Sequence, residues 1–267
     1  MSKTNLAIVL CLIWLFVQSA IIEPNDFKIT HYSVEDNQLQ GIRIAFLTDF
    51  HFKKRDYKKL NKIAQMTAQQ TPDLIFLGGD YTNSSNPRNL MNMYIFATKL
   101  QQAKVPIYAV LGDADQKCDP QKIKTELQSN GIRVLEDQNV RIIKKRRYID
   151  IIGLVDKTTR NPNTAIAFRR TSTPRIVISH NPDVYYNIMD ETNLILAGHT
   201  HGGQFILPFS PPLFVGSKFG AEFASGLISK TQNKMIISKG LGMSGLPLRL
   251  NCKPEIVIVD FIKSSKK

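Results

Sequence analysis

Cysteine is scarce in this chain of 267 residues, which carries three. Cys11, Cys118 and Cys252 have the spacing of neither a zinc module nor a disulfide framework. Cys11 lies in an apolar stretch, so at most one internal pair is available and no redox compartment is implied. Acidic residues are also short: 22 Asp and Glu stand against 35 Lys and Arg, a formal charge of +13. That surplus attracts anions. Yet no basic helix is interleaved with aromatics and no recognition motif is visible, which speaks against a nucleic-acid partner. Internal repeats and any sign of a second folded domain are missing. The length beyond the N-terminal segment, about 240 residues, suits one large α/β domain.

Histidine is rare too, with five in all, and its placement is the most informative feature present. Residues 42–47 precede Thr48-Asp49-Phe50-His51, and residues 74–77 precede Gly78-Gly79-Asp80. Residues 107–111 precede Gly112-Asp113, and residues 175–178 precede Ser179-His180. Residues 193–197 precede Gly198-His199-Thr200-His201. Short Val/Ile/Leu runs without polar alternation read as strands buried on both faces. In such sheets ligands bind beyond the carboxyl ends of the strands. Three carboxylates and four imidazoles are thereby delivered to one sheet edge. Mixed oxygen and nitrogen donors at one locus suit Mn, Fe or Zn. The fifth histidine, His31, reads as a strand-surface residue.

Residues 5–22 are apolar apart from Asn5, Gln18 and Ser19. Eighteen residues are marginally enough for a membrane-spanning helix. A cleavable signal is the rival reading, with weak small-residue pairs near Ser19 and Ala20. An uncleaved anchor is favoured, and Lys3 alone gives little indication of side. The layout is an anchor or signal over 1–23, a folded domain over 24–262 and a basic tail over 263–267. Basic clusters fall at Lys53-Lys54-Arg55 with Lys58-Lys59, at Lys144-Lys145-Arg146-Arg147 and at Arg169-Arg170. The first directly follows the Asp49–His51 motif, so Lys53, Lys54 and Arg55 are candidate contacts for a phosphate group or anionic lipid. Lys239 and Arg249 are further candidates.

Residues 27–34 alternate like a strand and are expected to form a hairpin with 39–47. Helices are expected over 57–70, 89–102 and 120–129, strands over 132–135, 140–143 and 148–154, and a loop over 160–173. Pro182 can open a helix running to Met189. Residues 205–220, rich in Pro, Gly and Phe, read as a long functional loop. Residues 223–230 and 235–239 read as a hairpin, and 255–262 as a final buried strand. Phe205, Phe209, Phe214 and Phe219 can line an acyl-chain groove or serve as ordinary loop anchors.

The motifs Asp49-Phe50-His51, Gly79-Asp80, Gly112-Asp113-Ala114-Asp115, His180 and Gly198-His199-Thr200-His201 resemble, in order and spacing, the calcineurin-like metallophosphoesterase superfamily. His201-Gly202-Gly203-Gln204, Leu207-Pro208-Phe209 and the segment from Gly240 to Glu255 are similar to one branch of it. That branch holds membrane-associated bacterial phosphodiesterases and the chlamydial-type UDP-2,3-diacylglucosamine pyrophosphohydrolase. The resemblance implies a two-sheet β-sandwich flanked by helices. It also implies two divalent ions, manganese first among them. Asp49, His51, Asp80 and His201 would hold one ion. Asp80 would bridge to the second, with Asp113, His180 and His199. A hydroxide shared between the ions would attack phosphorus. The branch further implies association with a bacterial inner membrane, a phosphorylated lipid substrate and a place in lipid A biosynthesis. Oligomeric state is left open.

The chain departs from the family pattern where Asn-His gives way to Asp113-Ala114. With Asp113 the three carboxylates leave one net positive charge on two divalent ions, where Asn leaves two. Tighter metal retention and a weaker pull on anions are expected. Ala114 replaces the histidine taken to protonate the leaving oxygen, and Asp115 is the remaining acid nearby. General acid catalysis is worth about 10²–10⁴-fold. Its loss matters least when the leaving group is a phosphate, whose second pKa is about 6. A pyrophosphate or another activated diester is therefore the expected substrate. The alternative is a non-catalytic member that binds phosphate-bearing lipid.

Overall fold

Apolar runs too uniform to alternate become strands with no solvent face. The computed structural model describes residues 2–53, 57–212 and 214–264. Twelve strands among the described residues form two six-stranded sheets. The first contains β1 (Lys28–Glu35), β2 (Arg43–Leu47), β3 (Leu74–Leu77), β4 (Ile107–Ala109) and β5 (Arg133–Val134). The second contains β6 (Gln138–Lys144), β7 (Arg147–Gly153), β8 (Arg175–Ile178), β9 (Leu194–Ala197), β10 (Gly226–Ile228) and β11 (Met235–Ile237). The last strand, β12 (Glu255–Ile262), returns to the first sheet between β1 and β2.

Strands β2 to β5 run parallel, as do β7, β8, β9 and β11. Alternate residues then sort between layers. Ile44, Phe46, Leu74 and Phe76 meet Ile149, Ile151, Ile176 and Ile178 between the sheets. Ala45, Leu47, Ile75 and Leu77 face outward onto helices α2 (Tyr57–Gln69), α3 (Pro87–Leu100) and α5 (Pro120–Ser129). On the far side Ile152, Val177 and Ile195 pack under Val184, Tyr185 and Phe223. The fold is a two-sheet α/β sandwich flanked by helices.

Most expected elements appear within a residue or two, and three differ. The expected hairpin of 27–34 with 39–47 does not form. β1 pairs in parallel with β12, and β12 in turn pairs antiparallel with β2. Register between strands more than two hundred residues apart leaves no local trace, and the turn at Glu35-Asp36 looks the same either way. The loop over 160–173 contains a one-turn helix, Thr164–Ala167, capped by the Asn163 side chain. After His180 the chain forms a 3₁₀ segment, Pro182–Asn187, capped by Asn181. The three cysteines are free thiols.

The N-terminal helix α1 (Lys3–Val17) continues through Asn25, and those 23 residues are long and apolar enough to cross a membrane. A signal sequence passes the same test. The helix stands out from the domain with its apolar side chains exposed.

Candidate metal centre

Parallel strands bring their carboxyl ends to one rim of the sandwich. Asp49 follows β2, Asp80 follows β3 and Asp113 follows β4. His180 follows β8, and His199 and His201 follow β9. Asp49, His51, Asp80, His199 and His201 all have left-handed backbone (φ 44° to 72°). Asp and His tolerate that region better than most residues. Strands β2, β3 and β9 therefore turn sharply at their ends and aim side chains back across the rim. Small neighbours make room. A Cβ at Gly112 would lie 2.1 Å from Asp80 Oδ1, and one at Gly198 would lie 2.5 Å from Asp49 Oδ2.

The seven side chains converge. His51 Nε2 is 3.0 Å from His201 Nε2 and 3.5 Å from Asp80 Oδ2. His201 Nε2 is 3.5 Å from Asp49 Oδ1. On the other side His180 Nε2 lies 3.4 Å from both Asp80 Oδ1 and Asp113 Oδ1. His199 Nδ1 is 3.1 Å from Asp113 Oδ1. Asp80 thus turns one oxygen to each half of the cluster. Donors around one ion at bonds of about 2.0–2.2 Å are separated by roughly 3.0–3.5 Å in octahedral or tetrahedral geometry. These separations fit divalent metal.

The rings are held for that task. His51 Nδ1 sits 2.7 Å from Asn83 Oδ1, and His180 Nδ1 sits 2.8 Å from the Gly78 carbonyl. Both partners accept, so each Nδ1 donates, and in the neutral ring Nε2 is left to ligate. Burial, with the charges of His51 and Arg249, holds His201 well below the ordinary imidazole range. Burial lowers His180 too, but Asp80 and Asp113 outweigh it and leave the ring well above its usual value. For Asp113 the balance is opposite: burial raises its carboxyl, while His180, His199 and Lys117 carry it far below the usual range.

Asp113 divides its carboxylate. Oδ1 faces the two imidazoles, and Oδ2 pairs with the Lys117 ammonium one turn along α4 (Asp113–Lys117). The i,i+4 spacing of Asp113 and Lys117 is visible in the sequence, but the spacing alone does not place Lys117 at the rim. Lys117 returns the positive charge that Asp113 removes, so the expected weaker pull on anions does not follow.

Other candidates land elsewhere. Asp115 was expected to serve as the nearby acid, but it faces the interior with no solvent exposure. Its oxygens accept from the backbone N–H groups of Asp80, Tyr81, Thr82 and Gly112. Burial and the Asp80 charge push it up to about 8. It splints the Asp80 turn to α4. Arg249, expected at the substrate, is fully buried. Its guanidinium donates to the carbonyls of Lys239, Gly242 and Cys252, and burial lowers its pKa. It braces the wall behind His201, with Nη2 at 3.5 Å from His201 Nδ1. Lys53 lies exposed just past His51, with its carbonyl accepting from Asn92. Lys54 and Arg55 lie outside the described residues. His31 stands on β1, 3.8 Å from Asp260. Ala114 offers only a methyl group, and its backbone N–H donates to Asp80 Oδ1 at 2.8 Å.

Beside His199 and His201 opens a pocket of about 360 Å³, bounded by Gln204, Phe205, Phe214 and Leu246. Phe205, Phe214 and Leu246 give it apolar walls, with Thr200, Gln204 and Ser244 as its uncharged polar lining.

A family model described as calcineurin-like phosphoesterase matches residues 42–203. The chain belongs to that family. It is therefore a metal-dependent hydrolase, and the clustered Asp and His side chains are of the kind that bind divalent metal. The chain is 30% identical over 254 residues to phosphodiesterase YaeI of Escherichia coli (strain K12), covering 90% of both chains. It is 23% identical over 302 residues to UDP-2,3-diacylglucosamine pyrophosphatase LpxG of Chlamydia muridarum (strain MoPn / Nigg), covering 89% of this chain and 90% of that one. A transmembrane protein with metallophosphoesterase domain from Danio rerio is 26% identical over 238 residues, 82% of this chain and 52% of that one.

Proposed function

We propose that this phosphoesterase hydrolyses a pyrophosphate or another activated phosphodiester, with a nucleotide-diphosphate lipid such as UDP-2,3-diacylglucosamine as the substrate class. Asp49, His51, Asp80 and His201 would hold one divalent ion, and Asp80, Asp113, His180 and His199 the second, with manganese the first choice for both. When bound, the ions neutralise charge on the phosphoryl oxygens and supply a nucleophile at neutral pH. The residues supply the rest. Asn83 and the Gly78 carbonyl fix the imidazoles, Asp115 locks the Asp80 turn, and Lys117 adds a cation on the Asp113 side.

The observation that carries the substrate choice is position 114. A complete ligand cluster stands beside a methyl group and an acid, Asp115, that is turned away and occupied. Neither Ala114 nor Asp115 can present an acid to the rim, and the Lys117 ammonium is engaged with Asp113, so a leaving group that departs unprotonated is favoured. The apolar pocket against His199 and His201, together with the LpxG relative, supports a lipid substituent. We also infer that residues 1–23 act as an uncleaved anchor for a domain over 24–262, on a bacterial inner membrane.

The test is hydrolysis by the detergent-solubilised full chain, with and without manganese. The substrates are bis-p-nitrophenyl phosphate, an alkyl phosphodiester and a UDP-linked glycolipid, and Asp80→Ala is the control. Manganese-dependent turnover of the first and third, lost in Asp80→Ala, is expected. Two bound metals with no turnover of any substrate would favour a lipid-binding protein, the reading that Ala114 also allows.

A further inference from the structure

The end of the N-terminal helix is fastened to the rim of the metal centre. Arg249 N–H donates to the Ser19 carbonyl at 2.8 Å, and Cys252 N–H donates to the Glu23 carboxylate. Both Ser19 and Glu23 are buried in that contact. Lys253 pairs with Asp26 one step further on. A bilayer core is about 30 Å thick, and twenty helical residues span about 30 Å. The 18 residues 5–22, apolar but for Asn5, Gln18 and Ser19, therefore leave no slack. If they cross a bilayer, Glu23 stands at its boundary, and so does the 249–252 segment bound to it.

That segment is knitted to two loops. Ile206 N–H donates to the Leu250 carbonyl at 2.9 Å, and Leu250 N–H donates to Gln204 at 3.0 Å. The Gln204 side chain donates to the Ser244 carbonyl at 3.1 Å and also to that of Leu246. These loops expose Leu207, Phe209, Phe214 and Leu246, of which Phe209 is fully exposed and Phe214 80% exposed. Single exposed apolar residues are ordinary, whereas four on two joined loops form a surface. The same loops wall the apolar pocket beside His199 and His201.

We propose that the rim formed by residues 204–212, Phe214 and residues 244–250 dips into the phospholipid surface, so that the pocket beside the metals opens onto the bilayer and not onto bulk water. The occupant is lipid because a helix with bilayer length and composition ends against this rim and is hydrogen-bonded to it. The proposal rests on the anchor reading of residues 1–23. It goes beyond the proposed reaction by stating where the substrate enters.

Trp14 is the only tryptophan in the chain, which allows the anchor and the rim to be read separately. The full chain is placed in nanodiscs of phosphatidylethanolamine and phosphatidylglycerol with brominated acyl chains. Fluorescence is compared for wild type, W14F/F214W and W14F/F209W. Both new sites are exposed, so the substitutions leave the core untouched. Several-fold quenching of Trp14 and of both rim probes by brominated lipid is expected. A quenched Trp14 with rim probes open to aqueous acrylamide would overturn the proposal while leaving the anchor intact. Rim probes shielded from both quenchers would overturn it in favour of a protein partner. An unquenched Trp14 would remove the anchor on which it rests.

Discussion

Asp113 and Lys117 act as a unit. The carboxylate adds a negative charge to the metal rim and the ammonium cancels it. Two divalent ions, three carboxylates and one lysine carry the net charge that an Asn-containing site reaches without the lysine. The pair is partly exposed on the lysine side, with 65% of that side chain accessible, so its coupling is modest, about 1 kcal/mol or less. Lys117→Met is expected to raise KM for a pyrophosphate substrate a few-fold while leaving bound metal unchanged. D113N/K117M should restore KM toward the wild-type value. An unchanged KM in the single variant would show that the lysine does not act on the substrate. His180 gives a second prediction at this scale. Its folded pKa lies well above the usual value, because Asp80 and Asp113 outweigh burial. In the metal-free protein its contribution to stability is present below about pH 6.5 and fades as pH rises through the folded pKa. Metal binding requires the unprotonated Nε2, so it competes with protonation of this ring. Titration with manganese in Tris and in PIPES should give heats that differ by the buffers' ionisation enthalpies, and affinity should rise with pH. Identical heats would contradict this assignment.

The element scale explains what was readable. Strands β2, β3, β8 and β9 announce themselves because both faces are covered, so every position is apolar save the arginine that opens β2 and β8, and the polar residues that follow the run mark the rim. The chemistry follows from the same feature, since Asp49, Asp80, His180 and His199 each stand at such a boundary. What could not be read needed three-dimensional register. β12 separates β1 from β2, and no local signal says so. Arg249 and Asp115 looked like surface chemistry in the sequence, but one donates to four carbonyls and the other accepts four N–H groups. Charge type alone does not distinguish a contact from a brace. The inter-sheet layer carries the cost of error: Phe46 is fully buried there among Phe76, Ile176 and Leu196. Phe46→Ala should lower stability by about 3–5 kcal/mol, seen as a lower urea midpoint with unchanged m-value. An unmoved midpoint would show that the two sheets do not depend on this layer.

At the scale of the whole molecule, metal ligands, an apolar pocket and the end of a bilayer-length helix share one rim of the sandwich. The cluster was legible because five motifs repeat one rule of strand-end placement. The pocket was only partly legible. Phe205 and Phe214 line it, whereas Phe209 points outward and Phe219 packs against Tyr186 and Phe223. The arrangement suits an enzyme that takes a phosphate-bearing lipid without having to protonate what leaves. The measurement that tests this most directly is the ratio of turnover on a UDP-linked glycolipid to turnover on an alkyl phosphodiester, in wild type and in Ala114→His. The wild-type ratio should be high. Restoring the imidazole should raise the alkyl diester rate by up to about 10²-fold, change the pyrophosphate rate little and so collapse the ratio. A wild type that cleaves the alkyl diester as fast as the pyrophosphate, or a ratio that Ala114→His leaves unchanged, would contradict the account.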